Sequence, residues 1–168
     1  MVIIQEIESN DQVIDILKFK YESPIVVTPG PKDADSIRSI NKALFFEKKI
    51  SETTKSKYAI AVSSGTAALH LACLASGLGD GDVAIVPAIS FLATANAVRY
   101  CGAEVLFCDV DPDSGLMTET TLANALEEAK NRNLRTKVVL PVHLTGRTVD
   151  LIKIKDICVS RKIKIIAD

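Results

Sequence analysis

Ser63-Ser64-Gly65-Thr66-Ala67-Ala68-Leu69-His70 stands where an apolar stretch, Tyr58–Val62, gives way to helical spacing. The first N–H groups of a helix have no partner within it, and the helix dipole adds partial positive charge there. Gly65 lets a ligand come close to the backbone, and Ser64 and Thr66 add hydroxyls. That chemistry suits a phosphate. A plainer reading stands beside it: Ser64 or Thr66 does no more than cap the helix. The stretch has no Gly-Lys-Ser/Thr of a Walker loop and no GxGxxG dinucleotide fingerprint.

Four further places carry side chains that could do chemistry. Phe91, in VPAISFLATANAV, opens a helix in a polar context. Its ring could lie over a planar ligand, or it could be core. Thr94 and Asn96 are expected to face helix neighbours or solvent. Asp168 comes directly after the apolar run IKIIA. A carboxylate there either caps a succeeding element or faces a protonated ring nitrogen, a pairing that keeps a pyridine charged and electron-withdrawing. His143, in LPVHLTG, ends another apolar run, either as a structural residue or as an active-site one. Asp109, Asp111 and Asp113 begin like a calcium loop, but no Gly at the sixth place and no Glu at the twelfth complete it. They read as turn formers.

These residues need elements to position them. YAIAVS, VAIVP, EVLFCDV, TKVVLPVHL and IKIIAD read as strands. Between them TAALHLACLASGL, FLATANAVRYCG, TETTLANALEEAKNR and TVDLIKIKDICVSRK read as helices, the third capped by Thr118 or Thr120. Alternation of this kind, with continuously apolar strands, predicts βαβ units: an α/β fold whose mostly parallel sheet is covered on both faces. Ligands of such sheets gather at the carboxyl ends of the strands, which is where the residues above fall. Residues 1–57 differ in texture. A short amphipathic helix is expected around Val13–Phe19, an extended SPIVVTPGP after it, a helix from Ile37 towards Ile50, and a loop at SETTKSK. The expected division is therefore 1–57, an N-terminal helical and extended segment, and 58–168, the regular α/β region.

Bulk properties narrow the classes. The 168 residues can hold one domain with a real core, and 48% of them are hydrophobic. No apolar run approaches the roughly 20 residues of a membrane span, and MVIIQEIESNDQ lacks the pattern of a signal peptide. The net charge of −1, with both signs interspersed, argues against a nucleic-acid surface. Cys73, Cys101, Cys108 and Cys158 lie in apolar contexts without a CxxC pair, which fits buried thiols of a cytoplasmic protein. With only His70 and His143 besides, no metal site is expected.

Taken in order, YAIAVSSGTAALHLACLASGLGDGD, VPAISFLATANAVRYCGAEVLFCDVDPDSG, PVHLTG and IIAD resemble the DegT/DnrJ/EryC1/StrS family of pyridoxal-phosphate-dependent sugar aminotransferases. The resemblance covers Tyr58 to Asp168. It implies a three-layer αβα arrangement, an incomplete large domain of the fold type I (aspartate aminotransferase-like) pyridoxal-phosphate enzymes. It implies that Gly65, Thr66 and Ala67 hold the cofactor phosphate, that Phe91 stacks on the pyridine, and that Asp168 pairs with the pyridine nitrogen. Ser64 and His143 would lie near the active site. The activity implied is transfer of an amino group from an amino-acid donor to a nucleotide-linked keto-sugar, in amino-sugar biosynthesis for cell-surface polysaccharide. A homodimer is the family's usual partner arrangement.

The departures are as specific. The family's Schiff-base lysine lies downstream of the Asp, and Lys137, Lys153 and Lys164 do not stand in that motif. A dehydratase variant in the family replaces that lysine by His, so the same segment separates two activities. Three expectations are compatible with these departures: the N-terminal part of an aminotransferase inactive by itself, a non-catalytic remnant, or one half of a two-chain enzyme completed by a lysine-bearing partner. A generic nucleotide-binding Rossmann module fits the alternation but leaves SSGTAALH and ISFLATAN unexplained.

Overall fold

A computed structural model describes residues 34–168. The expected helix near Val13–Phe19 and the SPIVVTPGP segment lie outside the described residues. Two compact units divide between Ser63 and Ser64.

In the first unit, helix α1 (Ala34–Thr54) runs further than its apolar spacing predicts and absorbs the first half of the expected SETTKSK loop. Lys55, at φ 57°, ends it. Ser51 and Thr54 turn their hydroxyls on the carbonyls of Ser56 and Ile50 rather than on solvent. The predicted strand Tyr58–Val62 is not a strand: the segment joins no ladder. The Ala61 N–H donates instead to Glu47 Oε1 at 2.7 Å. A side-chain acceptor has replaced the neighbouring strand that the apolar composition led one to expect.

The second unit begins with α2 (Gly65–Ala75). It continues through β1 (Val83–Pro87), α3 (Leu92–Tyr100), β2 (Glu104–Cys108) and α4 (Glu119–Asn131). It ends with β3 (Thr136–Val139), a 3₁₀ turn (Leu144–Gly146), α5 (Leu151–Val159) and β4 (Lys164–Ile165). The four strands are parallel, in the order β2-β1-β3-β4. β1 is buried along its whole length, as the run VAIVP requires of a strand covered on both faces. Fully burying each of its Val and Ile side chains contributes about 1.5–3 kcal/mol before ordering costs. Val83 and Ile85 join Leu106, Val139, Leu122, Leu126, Ile154 and Cys158 in one core, under α4 and α5. Strand alternation sends Ala84, Val86, Val138 and Leu140 to the opposite face. There the buried sides of α2 (Ala68, Leu69, Ala72, Cys73) and α3 (Ala93, Thr94, Ala97, Val98) cover them. The unit is an αβα sandwich with a parallel sheet, the arrangement that the resemblance implies.

Helix ends follow from local chemistry. Thr118 caps α4, its side chain and that of Thr121 each accepting from the other's backbone N–H. α2 ends in a Schellman motif: Leu78 N–H reaches the Cys73 carbonyl and Gly77 N–H that of Leu74, with Gly77 at φ +75°. Asp111 accepts from both the N–H and the hydroxyl of Ser114, closing the DPDSG turn.

A charge clasp holds the amino edge of the sheet. Asp82, only 2% exposed, receives the Gly79 N–H and Lys137 Nζ at 3.1 Å each, and Arg135 pairs with its other oxygen. Burial by itself would raise the Asp82 carboxyl. The bonds from Lys137 and Gly79 and the two cationic charges outweigh it and hold the group below the usual carboxylate range. Lys137 also bonds the Gly77 carbonyl, so the end of α2 is fixed at this edge.

Candidate active site

α2 has 11 residues and β1 has five, so both are about 16 Å long. With its last turn tied to the amino edge through Lys137, α2 brings its first turn to the carboxyl edge of the sheet. There Ser64 caps the helix: its Oγ accepts from Ala67 N–H at 3.2 Å, and its carbonyl accepts from Ala68. Capping and anion binding are thus compatible readings. Ala67 N–H is engaged by Ser64, whereas those of Gly65 and Thr66, the first two helical positions, have no intrahelical acceptor. Gly65 is exposed, lies outside the left-handed region, and a Cβ there would meet nothing within 4 Å. Neither conformation nor packing demands glycine at this place. What it leaves is open access to two N–H groups that have no acceptor among the described residues, beside the exposed Thr66.

The strand order places the second half of the site. From β1 the chain crosses by α3 to β2 on one side, while β3 lies on the other side of β1. The carboxyl ends of β1 and β3 are therefore a topological switch point, where such sheets bind ligands. Phe91 comes after β1 and His143 after β3. Phe91 is the N-cap of α3 and 77% exposed, so the core reading of this residue does not describe it.

Asp168 is pinned at three points. Its N–H donates to the Pro141 carbonyl at 2.9 Å, and its own carbonyl accepts from His143 N–H at 2.8 Å, extending the β3–β4 pairing to the edge. Its Oδ2 accepts from the Thr94 hydroxyl at 2.5 Å. Thr94 is fully buried, contrary to the expectation that it faces solvent or only its own helix. The sequence contained a signal for it. Thr94 shares the stripe of Ala97 and Val98, at i+3 and i+4, and a hydroxyl on an apolar stripe needs a partner. Asp168 Oδ1 accepts nothing among the described residues.

His143 turns its ring to the loop just beyond it: Nδ1 accepts from Val149 N–H at 3.0 Å. The hydrogen of the neutral imidazole is then on Nε2, which can only donate. Phe91, Thr94, Asp168 and His143 are joined by hydrogen bonds, since Thr94 N–H in turn donates to the Phe91 carbonyl at 3.1 Å. Gly65, Thr66 and Ala67 reach the same edge through α2.

The residues fit pyridoxal phosphate in kind. An anion fits the Gly65–Thr66 turn, an exposed aromatic offers a stacking face, and a carboxylate oxygen is left free for a cationic ring N–H. Among the described lysines, Lys137 is engaged at Asp82 and Lys153 lies 3.8 Å from Asp150 at the start of α5.

A parallel αβα domain with these groups at its switch point is that of the fold type I pyridoxal-phosphate enzymes. The chain belongs to the DegT/DnrJ/EryC1/StrS aminotransferase family, whose pattern matches residues 32–168. It is 39% identical over 123 residues to GDP-perosamine synthase of Escherichia coli O157:H7, covering 73% of this chain and 32% of that protein. It is 36% identical over 142 residues to the UDP-4-amino-4-deoxy-L-arabinose–oxoglutarate aminotransferase of Shewanella sediminis, covering 84% of this chain and 32% of that protein. The chain thus spans about a third of the length of the curated relatives it matches. Among solved structures, a family aminotransferase from Brucella abortus superposes with a TM-score of 0.73 at 32% identity, over 95% of this chain and 40% of that one. NtdA from Bacillus subtilis, solved with bound cofactor PMP, gives 0.68 at 34% identity, over 95% and 33%. Among the described residues no helix is long and apolar enough to cross a membrane.

Proposed function

We propose that this chain forms the cofactor-holding part of a pyridoxal-phosphate-dependent aminotransferase that acts on a nucleotide-linked keto-sugar with an amino-acid donor. The observation that carries the reading is the Asp168 carboxylate, fastened through one oxygen to Thr94, with the other unengaged among the described residues beside the switch point, and the exposed Phe91 one helix turn from Thr94. The sugar class is supported by the two relatives above, whose names describe a GDP-linked and a UDP-linked amino sugar. Amino-sugar biosynthesis in the cytoplasm is the corresponding setting.

On this reading each residue has a defined task. Gly65 and Thr66 N–H groups and the Thr66 hydroxyl bind the phosphate, and the α2 dipole favours its charge. Phe91 covers one face of the ring and excludes water from it. Asp168 keeps the ring nitrogen protonated. The bound cofactor supplies an electron sink for proton removal at the carbon that carries the amino group. His143 Nε2–H is a donor at the same edge. Ser64 shapes the turn by holding Ala67. The lysine that moves the proton is proposed to come from residues other than Lys137 and Lys153, in the same polypeptide or in a second, lysine-bearing one. Without it the chain holds cofactor but does not turn over.

The test is titration of the purified protein with pyridoxal phosphate and pyridoxamine phosphate, monitored by absorbance. Saturable one-site binding, weakened about tenfold or more in Asp168→Asn, is the expected result, since a charge-assisted bond is worth about 1.5–3 kcal/mol. Absence of binding to the unaltered protein overturns the reading.

A further inference from the structure

The bond between Thr94 and Asp168 does more than satisfy a buried hydroxyl. A helical threonine commonly turns its hydroxyl on the carbonyl four residues back. Thr94 instead directs its one hydroxyl hydrogen to Oδ2 of a carboxylate 74 residues away, at 2.5 Å. A carboxylate can only accept, so the direction of that bond is fixed. The backbone of Asp168 is held on both sides by β3, through Pro141 and His143. The side chain is held by α3. With main chain and one oxygen anchored, the remaining lone pairs of Oδ1 have a set direction. The same helix turn carries Phe91, whose carbonyl accepts the Thr94 N–H.

We propose that Thr94 is a positioning residue. Through one hydroxyl it aims Asp168 Oδ1 at the N–H of a protonated heteroaromatic ring, and it sets the offset between that acceptor and the Phe91 face. One turn of α3 thereby references both the edge and the plane of the ligand. The inference rests on the proposed cofactor reading, which supplies the ring. It predicts that removing the hydroxyl changes the state of the bound ring and not only the firmness of the fold.

The experiment uses the protein as its cells make it, with Thr94→Val and Thr94→Ser, and pyridoxal phosphate carrying ¹⁵N in the ring. Affinity is measured by absorbance, and the ring ¹⁵N chemical shift is recorded at cofactor concentrations that saturate each protein. T94V is expected to bind about tenfold more weakly, the scale of one charge-assisted hydrogen bond, with its ring signal displaced towards the unprotonated position. T94S is expected to lie within about twofold of the unaltered protein, with an unmoved signal, since it keeps the donor. A T94V ring signal identical to that of the unaltered protein overturns the positioning role and leaves the cofactor reading standing. Failure of the unaltered protein to bind the cofactor overturns the reading itself, and the inference with it. Should T94V not fold, Thr94→Cys against T94S makes the same comparison between a weak and a strong donor of similar size.

Discussion

The Thr94 hydroxyl and the Asp168 carboxylate lie 2.5 Å apart across 74 residues of sequence. The contact joins the third residue of α3 to Asp168, three residues past β4. Asp168 is therefore part of a connected set and not a solitary acid at a strand end.

Gly65 provides a direct separation of folding from binding. A methyl group there meets nothing in the protein, and alanine is the better helix former. Gly65→Ala is expected to leave stability unchanged or raise it by up to about 1 kcal/mol. Cofactor affinity should fall, about tenfold for 1.4 kcal/mol of lost phosphate contact. Thermal melting and a phosphate-dependent titration check the two halves. Equal affinity in G65A would show that no ligand approaches this backbone.

Phe91 makes a similar case from exposure. With 77% of its surface free, its removal costs the fold little. Phe91→Ala is expected to change the melting temperature slightly while weakening pyridoxal phosphate by roughly 0.5–1.5 kcal/mol, the range of a ring-on-ring contact. Phe91→Tyr should retain most of the affinity. A large fall in melting temperature for F91A would instead mark the residue as part of the core.

Asp82 links stability to pH. Its folded carboxyl titrates below the ordinary carboxylate value, so its contribution is present above about pH 4 and is lost as the pH falls through the lower, folded value. Asp82→Asn should cost on the order of 1–3 kcal/mol at neutral pH, mainly through the Gly79 and Lys137 bonds, since the Arg135 side chain is largely exposed. Urea unfolding measured from pH 7 down to pH 2 should show the gap between D82N and the unaltered protein narrowing below about pH 4. A gap constant over that whole range contradicts the assignment.

The cysteines differ in accessibility. Burial pushes the Cys73 thiol up to about 12 and Cys158 up to about 11, and it raises Cys108 and Cys101 as well, so the order of reaction rests on exposure, in which Cys101 alone of the four is only half-buried. At pH 8 the other three should alkylate only on unfolding, because the thiolate is the reactive form. Cys101, half-buried at the end of α3, should react first. Peptide mapping after a brief iodoacetamide pulse distinguishes this order from uniform labelling.

The sequence made the sheet readable where strands are apolar on both faces. VAIVP, EVLFCDV, TKVVLPVHL and IKIIAD read as strands between amphipathic helices; the ladder takes only Glu104–Cys108, Thr136–Val139 and Lys164–Ile165 of the last three, and the strand ends still located Phe91, His143 and Asp168. Tyr58–Val62 looked the same by composition but pairs with no strand among the described residues. Composition reports what a segment can bury, whereas a ladder also requires an unpaired neighbour. Thr94 escaped notice for a related reason. Its role depends on a partner 74 residues away, and a small polar side chain in a helix carries no sign of that partner beyond its place on an apolar stripe. The reach of α1 past Ile50 was hidden by Ser51, Thr53 and Thr54, whose hydroxyls help finish the helix that their residue types usually end.

The Asp82 clasp lies at one edge of the sheet and the candidate site at the other, about one strand length of 16 Å apart. Charges at that separation are screened beyond a Debye length of about 8 Å at physiological ionic strength. Substitutions at the two edges should therefore combine additively, within a few tenths of a kcal/mol. The acid tolerance of this domain can then drift through a residue such as Arg135, which pairs with Asp82, without altering the opposite edge, whereas Lys137, which also holds the end of α2, is not free to drift in this way.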